Sequence, residues 1–272
     1  IEIVRGPNGI IHGADAIGGV VNVVSTNPSF SKSEITQGSD FFGRLSSAER
    51  SWSVGLVGNV SSSDWFAELS HAERSFGDLD GGRKVGKQIN VGYDSRSTNF
   101  QLARKTKENN EITLGVQQSF MDDVPRTHKT VDGLTWEGLS PGSERWRRLD
   151  QQRSLYFGKF SWKNASGFAD QGIATLSLHR HGQERNRMRK LTNGGDFQFF
   201  ELDDYGLSVR LKSDDPWGGR IHYGADLHSE SLTSGGYLFD DFQVRGSDLF
   251  QGTLAAHARY KRYSFYLNDS ID

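Results

Sequence analysis

Four histidines in the second half of the chain carry the side chains best suited to ligating a metal: His179 and His181 in "LSLHRHG", and His222 and His228 in "RIHYGADLH". Imidazole binds haem iron and other transition metals. Each pair is an even number of residues apart, so on an extended strand both members share a face. That face lies opposite Ala174, Leu176 and Leu178 for the first pair, and opposite Ile221, Ala225 and Leu227 for the second, which is expected on a neighbouring strand. A polar face wetted by water accommodates imidazoles without any metal, and no metal site is expected here. "GLSPG", Gly138 to Gly142, has the Gly-x-Ser-x-Gly pattern of a nucleophilic serine. That chemistry requires a strand before the serine and a helix after it, whereas Pro141 sits among turn residues. Asp122 and Asp123 in "DDVPR" lack the further spaced oxygens that calcium needs. No zinc-protease, phosphate-loop or dinucleotide fingerprint is present, so an enzyme is not expected. Basic residues cluster at Arg145, Arg147 and Arg148, and again at Arg185, Arg187, Arg189 and Lys190; these stretches read as loops able to attract an anion.

The elements that would hold these residues alternate with period two from Ser39 onward. In "SWSVGLVGNV", Trp52, Val54, Leu56 and Val60 oppose Ser53, Gly55 and Asn59. "EITLGVQQSF" sets Ile112, Leu114, Val116 and Phe120 on one face, and "DYGLSVRLK" does the same with Tyr205, Leu207, Val209 and Leu211. The runs extend to roughly ten residues, longer than the ~5–6 of a soluble sheet strand and right for a membrane barrel stave. Short links ("SSSD", "KENN", "SGFADQG", "SDDPWGG") alternate with long ones, which include Asp122 to Asp150, "ERNRMRKLTNGGDF" and "LTSGGYLFDDFQVRGSD". About ten strands are expected, the last being "YSFYLNDSID".

Composition agrees. Hydrophobic residues make up 35%, which is thin for a soluble domain of 272 residues and adequate where lipid covers one face. The net charge of -2 argues against nucleic acid as a partner, and without cysteine there is no thiolate site. No apolar run reaches the ~18 residues of a membrane helix.

The first 27 residues do not alternate. "IEIV" and "VVNVV" read as short strands buried on both faces, joined through Gly6-Pro7-Asn8-Gly9 turn chemistry, Gly13 and the Gly18-Gly19 bend. "IEIVRGPNGIIHGADAIGGVVNVVST" resembles the end of the plug domain of TonB-dependent outer-membrane receptors. Glu2, Arg5, Gly6, Pro7, Gly13, Ala16, Gly18, Gly19, Asn22 and Thr26 match that pattern in register, while His12 replaces its usual Tyr. The resemblance continues more weakly in "QQSFMDDVPR" and "YSFYLNDSID". It implies an all-β membrane barrel with a plug remnant. Residues 1–28 would be the C-terminal end of the plug, and 29–272 the N-terminal part of an antiparallel transmembrane β-barrel of about 22 strands. It further implies a receptor in the bacterial outer membrane, coupled to the inner-membrane TonB complex. Such a receptor imports a scarce nutrient, with a ferric siderophore first and haem or cobalamin behind it. Arg145, Arg187 and Arg189 would then meet an anionic ferric chelate or lipopolysaccharide phosphates, while His179, His181, His222 and His228 would line the lumen. A passive porin is the alternative, and a glycine-bent domain ahead of the first stave argues against it.

Overall fold

A computed structural model describes residues 2–5, 18–22, 27–32, 34–83, 85–106, 110–135, 138, 140–163, 169–190, 194–214 and 219–270. Gly6, Pro7 and Gly13 of the opening motif, with Ala16 and Thr26, lie outside the described residues. On either side of them β1 (Glu2–Arg5) and β2 (Gly19–Asn22) pair antiparallel, Glu2 opposite Asn22 and Arg5 opposite Gly19.

The remainder forms one antiparallel sheet. Its strands are β3 (Thr36–Ser46), β4 (Ser51–Ser61), β5 (Trp65–Phe76), β8 (Tyr93–Lys105), β9 (Glu111–Pro125), β10 (Glu144–Lys163), β11 (Gln171–Arg189), β12 (Gly195–Asp214), β13 (Arg220–Phe239) and β15 (His257–Ser270). Each pairs with its sequence neighbour in this series, so it is a meander without crossovers. The small hairpin of β6 (Leu79–Asp80) and β7 (Lys87–Gln88) lies in the link from β5 to β8. A short β14 (Arg245–Leu249) extends the edge of β13 above β15. Among the described residues there is no α-helix, only a 3-10 turn at Thr127–Lys129. This is a partial transmembrane β-barrel, and its ten long staves agree with the period-two reading.

Register shows why the sequence alternates. Gly58 stands opposite Leu69, Leu69 opposite Phe100, Phe100 opposite Val116, Val116 opposite Tyr156, Tyr156 opposite Leu178, and Leu178 opposite Tyr205. Directly opposed residues share a face, so these side chains form one apolar band across the sheet. They are exposed within the chain, Leu176 at 64% and Phe265 at 77%. The opposite face holds the buried small residues Ala103, Thr113 and Ser53. Lipid therefore covers the band, and strands flanked on both sides satisfy their amides on their neighbours, as the hydrocarbon requires. Tyr156, Tyr205 and Tyr263 mark one border of the band and Trp162 and Tyr223 the other, in the manner of aromatic girdles.

Strands β10, β12 and β13 each run 20 residues, and β11 runs 19. At ~3.3 Å per residue and a tilt near 40°, they rise roughly 50 Å, about twice the ~25 Å apolar band of such barrels. The excess projects at the end bearing the long links. This corrects the expected loop lengths. Most of "ERNRMRKLTNGGDF" is strand, leaving only residues 190–194 as the link, and residues 144–150 already belong to β10. Beyond the membrane the outward face mixes apolar with polar residues, so alternation is broken and a strand looks like a loop. Outward aromatics from the projecting part pack on one another there. Trp146 stacks on Phe239 at 6.2 Å between centroids and Phe197 on Tyr237 at 5.0 Å, with Met188 buried at 2%.

Candidate functional site

The two basic clusters lie on strands rather than in loops, because β10 and β11 continue past the band. Arg147 opposes Arg187 across the β10–β11 ladder, and Arg187 opposes Asp196 across β11–β12. Residues 185, 187 and 189 alternate onto the inner face, so their guanidiniums converge. Asp196, with its side chain 1% exposed, is the hub. Arg185 Nη2 donates to its Oδ1 at 2.9 Å, Arg187 Nε to its Oδ2 at 2.6 Å, and Arg189 Nη2 to Oδ2 at 3.1 Å. Arg187 Nη1 also donates to Glu144 Oε1 at 3.2 Å. Arg185 continues the network through Thr253, whose hydroxyl donates to Gln198 Oε1.

Charge does not balance here. Among the described residues Arg147, Arg185, Arg187 and Arg189 pair only with Asp196 and Glu144, leaving two positive charges in excess. Arg147 has the weakest partner. Its Nε stands 3.5 Å from Glu144 Oε2, too poorly directed for a hydrogen bond, and both atoms are buried without an acceptor or donor, as is Arg185 Nε. These groups lie beyond the apolar band, and their titration follows their partners. Burial opposes the charge on Arg187, but the bonds to Asp196 and Glu144 outweigh it and hold its pKa above the ordinary value. The Arg147 pKa falls below its ordinary value. Burial lowers it most, Glu144 opposes, and neighbouring Arg185 and Arg187 lower it further.

A pocket of about 670 Å³ opens behind this cluster against the outward aromatics Trp146, Tyr237 and Phe239, and Arg145, Arg147 and Arg148 line it against Asp123, Asp132 and Asp150. Arg148 is paired with Asp123, and Arg145 lies 3.8 Å from Asp241 with 56% of its side chain exposed. The surplus guanidinium donors of the Asp196 cluster, rather than this charge-balanced pocket, suit an anionic ligand. Lys190, at the foot of the same link, donates its backbone N–H to the Ser143 carbonyl.

The histidines share the inner face as expected, but they form no metal centre. Strand β12 separates β11 from β13, a correction to the reading that they neighbour each other. His228 Nδ1 lies 3.0 Å from Asp204 Oδ2, and Arg153 Nε donates to His179 Nε2 at 2.8 Å. His181 meets the Phe200 ring edge-on at 5.4 Å. His222 opposes Lys212 and Asn268. No group of three or more His, Asp or Glu that could hold a metal occurs among the described residues. Ser140 is exposed and no α-helix follows it among the described residues, so "GLSPG" lacks the context of a nucleophile. Asp196, the centre of the site, escaped sequence reading. Its signal was a lone carboxylate just after "NGG", placed opposite Arg187 only by the length of the link.

No family model and no curated protein matches the chain. Among solved structures, the crystal structure of the siderophore receptor PiuA from Acinetobacter baumannii superposes with a TM-score of 0.62 at 14% identity. The chain has that fold. The match covers 98% of this chain and 44% of that one, so the chain spans less than half the length of the receptor it resembles. At this identity the likeness speaks for the barrel architecture alone.

Proposed function

We propose that this chain is the end of the plug and the first part of the barrel of a TonB-dependent outer-membrane receptor that imports an anionic iron chelate. The arginine cluster carries the reading. Two uncompensated, half-buried positive charges at the loop-bearing end of a lumen wall stabilise an incoming anion rather than the fold. A ferric siderophore is the favoured class, ahead of haem and cobalamin. Arg145, Arg147, Arg187 and Arg189 would take its charge at the mouth. Residues 1–28 would supply the plug end, with Glu2, Arg5, Gly6, Pro7, Gly13, Gly18, Gly19 and Asn22 as its motif; the β1–β2 pair supports this. Pull from the TonB complex on the plug would then open the path, and no covalent chemistry is involved.

The test is uptake of labelled iron by cells carrying the complete receptor. Uptake of an anionic ferric chelate should require both TonB and the arginines, so that Arg147→Ala with Arg187→Ala lowers it at least tenfold. Transport that persists without TonB would point to a passive porin instead. Transport that ignores the arginines would remove them from the ligand path.

A further inference from the structure

The pocket of about 670 Å³ against Trp146 lies on the outward side of the wall, away from the lumen. Trp146 stands ten residues beyond Tyr156 on β10, which at the tilt of these staves sets the pocket about 25 Å above the tyrosine border. Three outer links reach it. Asn90 comes from the link between β5 and β8, Thr127 and Asp132 from the link between β9 and β10, and Gln243 from the link between β13 and β15.

Backbone strain gathers at this pocket. Among the described residues four non-glycine residues have a left-handed backbone, and three of them line it: Asn90 at φ 57°, Asp123 at φ 60° and Gln243 at φ 61°. Such conformations persist only where the surroundings impose them, and they cluster at ligand sites. Each is imposed here. Asn90 Nδ2 donates to Asp132 Oδ2 at 2.9 Å, and the Thr127 hydroxyl donates to the Asn90 carbonyl. The Asp123 N–H donates to Asp150 Oδ1 at 2.7 Å, and the Gln243 N–H to the Asp240 carbonyl at 3.0 Å.

The lining decides what the ligand is. Arg145, Arg147 and Arg148 balance Asp123, Asp132 and Asp150, so no net charge draws an ion. The side-chain amides of Asn186 and Gln243 line the pocket without a hydrogen-bond partner among the described residues. Each amide both donates and accepts, as a hydroxyl does. Trp146 and Tyr237, both half-buried, supply an apolar wall that stacking on Phe239 and Phe197 holds in place. The negative face of an aromatic ring attracts C–H groups. A neutral ring with C–H groups on its face and hydroxyls at its rim satisfies all three features, and a pyranose sugar is such a ring. We propose that this pocket binds a neutral oligosaccharide from the medium, one sugar face on Trp146 and its hydroxyls on Asn186 and Gln243. The volume falls within the roughly 300–1,000 Å³ of small-molecule sites, so the bound segment is short. The outward placement rests on the outer-membrane reading, whereas the binding chemistry is independent of the iron path.

The experiment probes a glycan array with the labelled complete receptor in a sugar-free detergent such as lauryldimethylamine oxide. The array carries neutral oligosaccharides beside uronate-bearing analogues of the same backbones. Neutral members should bind, and their uronate analogues should bind less well. In calorimetric titration with the best neutral binder, Trp146→Ala should lose about tenfold in affinity. Asn186→Ala with Gln243→Gly should lose roughly tenfold as well, the worth of two neutral hydrogen bonds. Glycine suits the left-handed backbone at 243, so this variant keeps the link folded even if Trp146→Ala does not. Heat-modifiable migration on a gel verifies that each barrel is intact. An array on which nothing binds overturns the proposal, and so does a preference for uronates. Affinity unchanged in the Asn186 and Gln243 double variant overturns it too. A receptor that binds neutral glycans through Trp146 yet imports no iron chelate would overturn the transport reading alone.

Discussion

Arg187 and Asp196 oppose each other across the β11–β12 ladder, and the Arg187 Nε hydrogen bond to Asp196 Oδ2 is only 2.6 Å long. Asp196 accepts from three guanidiniums in all, so one fully buried carboxylate ties together a projecting strand end that lipid does not reach.

Replacing Asp196 with Asn keeps the shape and removes the charge. Three guanidiniums would then repel one another, with Glu144 the one carboxylate left to pair with them among the described residues. Breaking a buried pair costs about 3–5 kcal/mol, and the partly wet arginine heads place this case near the lower end. The expected outcome for Asp196→Asn is a lower denaturant midpoint in detergent and faster proteolysis of the loop end, with the apolar band intact. A midpoint equal to that of the parent would show that Asp196 is not the hub.

Arg147 should behave in the opposite way. Its buried Nε already lacks an acceptor, so Arg147→Ala removes little that holds the fold. A hydrogen bond to a charged ligand is worth about 1.5–3 kcal/mol. Binding of an anionic chelate should therefore weaken by at least tenfold, while a neutral chelate is affected less than twofold. Titration at low and high salt is the measurement, and loss of salt dependence in the variant is part of the expectation. Equal losses for anionic and neutral chelates would mean that Arg147 shapes the pocket rather than attracting charge.

Much of this architecture is written in the sequence wherever lipid and lumen differ in polarity. Trp52, Val54 and Leu56 share the apolar face as period two required, and Tyr205, Leu207 and Val209 do likewise. Legibility ends at the membrane border. Above it β11 reads "QERNRMR", where Met188 is the one apolar residue and too little to betray the strand. Arg185, Arg187 and Arg189 therefore resembled a loop, and their convergence on Asp196 was invisible. The partnership depends on the five residues of the 190–194 link, which set the register of two long strands, and register is a long-range property.

Glycines on opposite faces of the sheet, Gly115 on the inner one and Gly58 on the outward one, offer a test of packing. A Cβ built on Gly115 collides with the Phe157 ring, which lies across it from β10, whereas one built on Gly58 meets nothing within 4 Å. Gly115→Val should force Phe157 off its rotamer and cost about 1–3 kcal/mol, the usual toll of overpacking. Gly58→Ala should be neutral or slightly stabilising, since it restricts the unfolded chain without a clash. The thermal midpoints of the two variants, read from heat-modifiable migration, decide the matter. Equal midpoints would mean that Phe157 swings away freely.

The histidines separate the iron-chelate reading from a haem reading. His228 is engaged with Asp204, and His179 accepts a hydrogen bond from Arg153, so both rings have structural partners that compete with a metal. Facing pairs of imidazoles are also absent, because β12 stands between the two histidine strands. Replacing His179, His181, His222 and His228 together with Ala should leave uptake of an anionic ferric chelate within about twofold of the parent. Parent protein mixed with haem should likewise show no Soret shift of the kind that axial imidazole produces. If the parent gives such a shift and the fourfold variant loses it, haem becomes the ligand, and the arginines would then serve its two propionates.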